Sequence, residues 1–234
     1  MAFFNKFKNI TDPTTGEELT FPVDVQQEIE EALYFYMHSG YYTEEEILEL
    51  ASMTLEDICT EYEISHPEAS HIKSLVGWLM SNANLGDKGK NNYGRLRKVF
   101  DILNKEQIIA IDFAGYTLDD GFDEVGEVFR FMKENDIPRK GYCFYHQQDI
   151  ERAMDESIRC LYLAFHSMNG DKQVAFEVGK RIVELLVENG FDVTWDESID
   201  SRIMINDFWW DKVFDGEDYG VERAIRVMGE TDEV

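Results

Sequence analysis

The chain has 234 residues, 44% of them apolar and 13% aromatic, and sets 22 basic against 48 acidic side chains for a net charge of −26. Such a field repels phosphate backbones and disfavours nucleic-acid binding, while it favours basic partners or cations. No stretch approaches the roughly 18 uninterrupted apolar residues of a membrane helix, and the leading MAFFNKFKNITDPTTGEE lacks a sustained apolar segment and a small-residue cleavage site, so a cytoplasmic protein is expected.

In chain order, Val23 to Leu103 shows helical periodicity. DVQQEIEEALYFYMHSG sets Val25, Ile29, Leu33 and Tyr36 on one stripe and stops at Gly40. TEEEILELASM opens with a capping box, Thr43 with Glu46, and continues through Ile47, Leu50, Leu55 and Ile58. HPEASHIKSLVGWLM predicts a third helix with Pro67 in its first turn, and YGRLRKVFDILNK a fourth. The intervening NANLGDKGKNNYG, with Arg95, Arg97 and Lys98, is a basic cluster. Its glycines match no phosphate-loop spacing, so it reads as a flexible loop feeding a helix. Residues 1–104 are expected to form a helical region.

After Lys105 the pattern changes. QIIAIDF, GYCFYH, IRCLYLAFHS, FDVTW and SRIMIN read as strands, and GFDEVGEVFRFMKEN, QDIERAMDE and DKQVAFEVGKRIVELLVENG as helices. The short connection between the last two strands argues for a terminal antiparallel hairpin. The expected class is α+β: a helical N-terminal bundle followed by a mixed sheet of about five strands with helices packed on it. The sheet domain is expected over 105–234, with a C-terminal helix.

Candidate chemistry centres on GYCFYHQQD. Cys143 and His146 are three apart, so along a strand they point to opposite faces and cannot act as nucleophile and base. Cys143 is expected to be a buried, quiet thiol. Cys59, Cys143 and Cys160 are too few and too scattered for a disulfide framework or a zinc ribbon. His146 falls at the end of its strand, His166 at the end of the next, and Asp112 near the end of the first. If those strands run parallel, Asp112, Tyr116, His146 and His166 converge beyond their carboxyl ends, where sheets of this kind bind ligands. His146 and Asp112 are the catalytic candidates, and His166 with His146 the metal candidate. The acidic TLDDGFDE, Asp119 to Glu124, lacks the spacing of a calcium loop and reads as a helix start.

The ordered motifs DFAGYTLDDGFDE, GYCFYHQQDIERAM, LYLAFHS and VGKRIVELLVENGFDVTWD followed by SRIMI resemble a bacterial family defined only as a domain of unknown function. The likeness covers roughly residues 105 to 210, and helices like GYYTEEEILEL often precede that domain. The family pattern YCFYH followed by QD is kept in His146, Gln148 and Asp149, whereas His166 stands where the pattern has glycine. The resemblance thus implies that a shared function rests on Asp112, Tyr116, His146 and Asp149, and sets the His166 metal pair outside the shared features; by position at the strand ends, Asp112, Tyr116 and His146 line the expected ligand site, with Gln148 and Asp149 on its edge.

Two functions are weighed. The first is a non-enzymatic binding protein, of inhibitor, immunity-type or regulatory kind, whose acidic surface meets a basic protein partner. The second is a small-molecule or metal-dependent hydrolase using His146 and Asp112. The first is favoured, with no cofactor, nucleic acid or membrane involved, because the sequence shows no nucleophile with its base and no nucleotide or metal fingerprint.

Overall fold

The computed structural model describes residues 10–11, 16, 18, 20–82 and 91–229. Helices α1 (Val23–His38), α2 (Glu44–Glu61), α3 (Ala69–Asn82) and α4 (Asn92–Lys105) precede the first strand. The chain then runs β1 (Ile108–Ile111), α5 (Leu118–Glu134), β2 (Gly141–Phe144), α6 (Gln147–Met154), β3 (Leu161–Ser167) and α7 (Lys172–Glu188). It ends with β4 (Asp192–Thr194), β5 (Ile203–Asn206) and α8 (Val221–Gly229). This is the expected α+β arrangement, helices first and a five-stranded mixed sheet after. No described helix is long and apolar enough to cross a membrane.

The chain divides into two compact units, Met1–Leu85 with Lys212–Gly216, and Gly86–Asp211 with Glu217–Val234. In the first, Val25, Ile29 and Leu33 of α1 and Ile47, Ala51, Leu55 and Ile58 of α2 form a buried cluster with Ile72, Leu75 and Val76 of α3. Ala51 occupies the inward position between Ile47 and Leu55, as a 3.6-residue period requires, and Leu50 is left half-buried. The Thr43–Glu46 box is present: the Thr43 N–H donates to Glu46 Oε2 (2.7 Å) and the Glu46 N–H to Thr43 Oγ1 (3.1 Å). Gly40 follows α1 with φ +76°, and a Cβ there would lie 2.6 Å from the Lys212 carbonyl oxygen, so that turn admits only glycine.

In the second unit α4 packs on β1, α7 and α8, so this helix groups with the sheet by its contacts. Its N-terminus is satisfied by Asp211, whose carboxylate accepts from the N–H groups of Asn92 and Tyr93 (both 2.7 Å). Arg95 donates to the carbonyls of Asn189 (2.8 Å) and Gly190 (3.1 Å) at the end of α7. Arg95 of the basic cluster thus closes the end of α7; most of the loop before it lies outside the described residues.

The strand order is β1-β2-β3-β5-β4. β1 and β2 are parallel, with Ile111 opposite Phe144, and β2–β3, β3–β5 and β5–β4 are antiparallel. One face of the sheet packs on α4 and α7. On the other, α5 covers β1 and β2, with Val125, Val128 and Met132 against Ile109, Ile111 and Phe144. Burying each such side chain contributes about 1.5–3 kcal/mol. Farther across that second face Tyr162, His166 and Met204 remain half-buried.

Candidate functional site

The parallel pairing of β1 and β2 brings their carboxyl ends to one rim, and side-chain alternation decides what happens there. Asp112 continues the face of Ala110, and Tyr145 that of Cys143, toward the α4 side. Asp112 is buried, and its carboxylate accepts hydrogen bonds from the hydroxyls of Tyr93 on α4 and Tyr145. Burial first, and then the Asp112 charge, pushes the Tyr93 hydroxyl far above its ordinary pKa, so Tyr93 stays a donor. Beside this cluster lies a narrow cleft whose lining includes Arg97, Asp101, Tyr219 and Arg223. Those groups already pair with each other: Arg97 donates to the Tyr219 hydroxyl (2.6 Å), and Arg223 forks onto Asp101 (2.7 and 2.6 Å).

The loop DFAGYT is pinned to the chain after β2. Ala114 N–H donates to the Tyr145 carbonyl (2.8 Å), and Gln147 N–H to the Gly115 carbonyl (3.0 Å). Phe113 and Gly115 both have positive φ, and a Cβ on Gly115 would meet the Asp120 Cβ at 2.3 Å. Asp120 accepts from the N–H groups of Tyr116 (3.1 Å) and Thr117 (2.7 Å), which starts α5. The Tyr116 side chain is 54% exposed.

His146 leaves the strand, which ends at Phe144, and becomes the N-cap of α6 in an extended conformation. It is buried. Its Nε2 lies 3.2 Å from Asp149 Oδ2 and 3.4 Å from Arg202 Nη1. Asp149 is fully buried, and its oxygens accept from Arg202 Nη1 (3.0 and 3.1 Å), Arg152 Nη1 (3.2 Å) and the His146 N–H (3.4 Å). Arg202 also lies over the Tyr162 ring (4.8 Å). Burial lowers the His146 pKa, opposed by Asp149 and reinforced by Arg202 and Arg152; the ring is neutral near pH 7. Its Nδ1 is buried and has no hydrogen-bond partner among the described residues. Gln148 is half-buried, and its carbonyl accepts from Arg152 (2.9 Å).

Asp112 and His146 therefore sit on neighbouring parallel strand ends yet serve different clusters on opposite faces. Asp112 is closed in by two tyrosines, whereas His146 joins Asp149, Arg152 and Arg202. The Gln147 N–H to Gly115 carbonyl bond (3.0 Å) sets the loop that carries Tyr116 beside the start of α6, next to His146. The His146–His166 pair is corrected outright. β3 runs antiparallel to β2, so His166 lies opposite Tyr142 near the start of β2, whereas His146 follows the end of that strand. Among the described residues no group of three or more His, Cys, Asp or Glu is arranged to hold a metal ion. Cys143 is fully buried, and burial raises its thiol pKa, which makes it unreactive.

Sequence reasoning missed Tyr93, Arg152 and Arg202. Arg152 carries a local signal, three residues after Asp149 on one helix face. Tyr93 and Arg202 carry none, being 19 residues from Asp112 and 53 from Asp149.

A family-level comparison matches residues 22–214 to the family described as "Domain of unknown function (DUF6891)", and the chain belongs to that family. No curated protein and no solved structure matches the chain.

Proposed function

We propose that this member of the family is a non-enzymatic cytoplasmic binding protein, of inhibitor, immunity-type or regulatory kind, that recognises a basic protein partner through its acidic surface. The observation that carries this reading is the unequal use of charge. Arg152 and Arg202 hold Asp149, Arg181 forks onto Glu106, Arg223 forks onto Asp101, and Arg95 caps α7. Apart from such paired or buried carboxylates as Asp149 and Asp112, a dense set of acidic side chains faces outward. From Glu44 to Glu63 there are eight acidic residues and no lysine or arginine, and all eight are exposed. Asp57 and Glu61 stand in the last turns of α2, where the helix dipole disfavours anions, so helix stability does not account for them. Tyr62 shows the resulting field: its hydroxyl is pushed up to about 12, first by its hydrogen bond to Glu28 and also by burial and the Asp24 and Glu61 charges.

The hydrolase alternative finds no support in the geometry, because His146 and Asp112 address opposite faces. The test is capture of partners from the native host by the immobilised chain, washed at low and at moderate salt. Basic proteins that elute as screening shortens the reach of charge are the expected outcome. Retention of nucleic acid, or of acidic proteins insensitive to salt, would sink the reading.

A further inference from the structure

Helix α5 is apolar over a wider arc than the fold buries. At 100° per residue, Gly121, Val125, Val128 and Met132 form its inward stripe. Leu118 and Phe122, one turn apart, lie to one side of it and stay 38% and 43% exposed. Tyr116, just before the helix, is more exposed still. Phe122 meets Phe144 and Tyr142 edge-on (5.5 and 6.0 Å), which holds the ring in place while leaving much of it in solvent. Beyond this apolar strip come Asp119, Asp123 and Glu127, all exposed and without an ion pair among the described residues. Helix capping accounts for Asp119 and Asp120 in the first turn but not for Asp123 or Glu127.

We propose that Tyr116, Leu118 and Phe122 form the anchor of a docking surface for a protein segment that presents an aliphatic or aromatic side chain flanked by lysines or arginines. This rests on the reading of the chain as an acidic binding protein and names its contact surface. The apolar strip supplies desolvated area, and Asp119, Asp123 and Glu127 supply the rim that selects a basic partner. A second copy of the chain is the wrong occupant, because it would press like-charged rims together.

The experiment uses the full chain, isotope-labelled for NMR, titrated with three soluble synthetic peptides: an amphipathic Lys/Leu peptide, a Lys/Ser peptide of equal charge, and a Glu/Leu peptide of equal apolarity. The Lys/Leu peptide is expected to bind saturably, shift the amides of Tyr116, Leu118 and Phe122 first, and bind about tenfold better than either control. Leu118→Ser and the double variant Asp123→Asn, Glu127→Gln, each checked for an unchanged spectrum, should weaken binding by about fivefold or more. Saturable binding that maps elsewhere, such as to α2, overturns this surface while leaving the acidic binding reading intact. No saturable binding of any basic peptide overturns both. Equal binding of the Glu/Leu peptide, or a sedimenting dimer that covers Phe122, overturns the proposal in favour of plain apolar contact or self-association.

Discussion

Two glycines of α5, five positions apart, test the packing under the proposed surface with opposite signs. A Cβ at Gly121 would lie 2.2 Å from Phe144 Cε2 and 2.7 Å from its Cδ2 and Cζ, whereas a Cβ at Gly126 meets nothing within 4 Å. Phe144 is fully buried, so its ring cannot swing into solvent and must displace Ile109, Ile111 or Val125. Overpacking of this kind costs about 1–3 kcal/mol. Replacing a helical glycine by alanine returns about 0.8–1 kcal/mol of propensity at either position. Gly121→Ala should therefore destabilise the sheet unit by up to about 2 kcal/mol net, and Gly126→Ala should stabilise it by about 0.8–1 kcal/mol. Trp195, Trp209 and Trp210 lie in the sheet unit and Trp78 in the helical unit, so tryptophan fluorescence follows mainly the sheet during thermal melting. At about 2–4 °C per kcal/mol for a chain of this size, the first variant should melt lower by up to roughly 8 °C and the second a few degrees higher. Equal melting temperatures for both variants would refute the packing of Gly121 on Phe144.

Asp112→Asn keeps the shape of the side chain but offers one acceptor oxygen where Tyr93 and Tyr145 both donate. It should cost about 2–3 kcal/mol in urea unfolding, and combining it with Tyr93→Phe should cost less than the sum of the two changes; strict additivity would deny the shared cluster. Because burial and two arginines hold the His146 pKa below its ordinary value, the unfolded chain binds a proton there that the folded chain resists. The histidine's contribution to stability is therefore complete above about pH 6.5 and is lost as pH falls below it. Urea midpoints at pH 5 and pH 7.5 should show this loss in the natural chain and a smaller one in His146→Gln, and identical slopes would contradict it. Cys143 should resist thiol reagents in the folded protein and react once denaturant is added, as mass spectrometry of the labelled peptide can check; rapid native labelling would overturn its assigned burial.

Much of the fold is legible locally. Thr43 with Glu46, and the acidic start of TLDDGFDE realised in Thr117 with Asp120, announce helices because the capping groups lie within one turn of the amides they satisfy. The spacing of Val25, Ile29 and Leu33, and the alternation in the strands, record which side of each element leaves water. The position of His146 at a strand end was legible too, though not its departure from the strand to cap α6. These features depend on neighbours a few residues away, so a one-dimensional pattern carries them.

Strand direction is not carried that way. An alternating run reads the same forwards and backwards, so nothing in LYLAFHS says that β3 opposes β2, and that reversal alone separates His166 from His146. Pairing across long chain distances is equally silent. Arg202 reaches Asp149 because β5 inserts beside β3, and Tyr93 reaches Asp112 because α4 lies over β1. The sequence alone determined which elements form and which of their faces are apolar, because hydrogen-bond geometry and burial act over a turn or a pleat. Only the tertiary structure decided that Asp112 and His146, one strand apart at the same rim, answer to different partners: their neighbours are set by how the chain closes on itself.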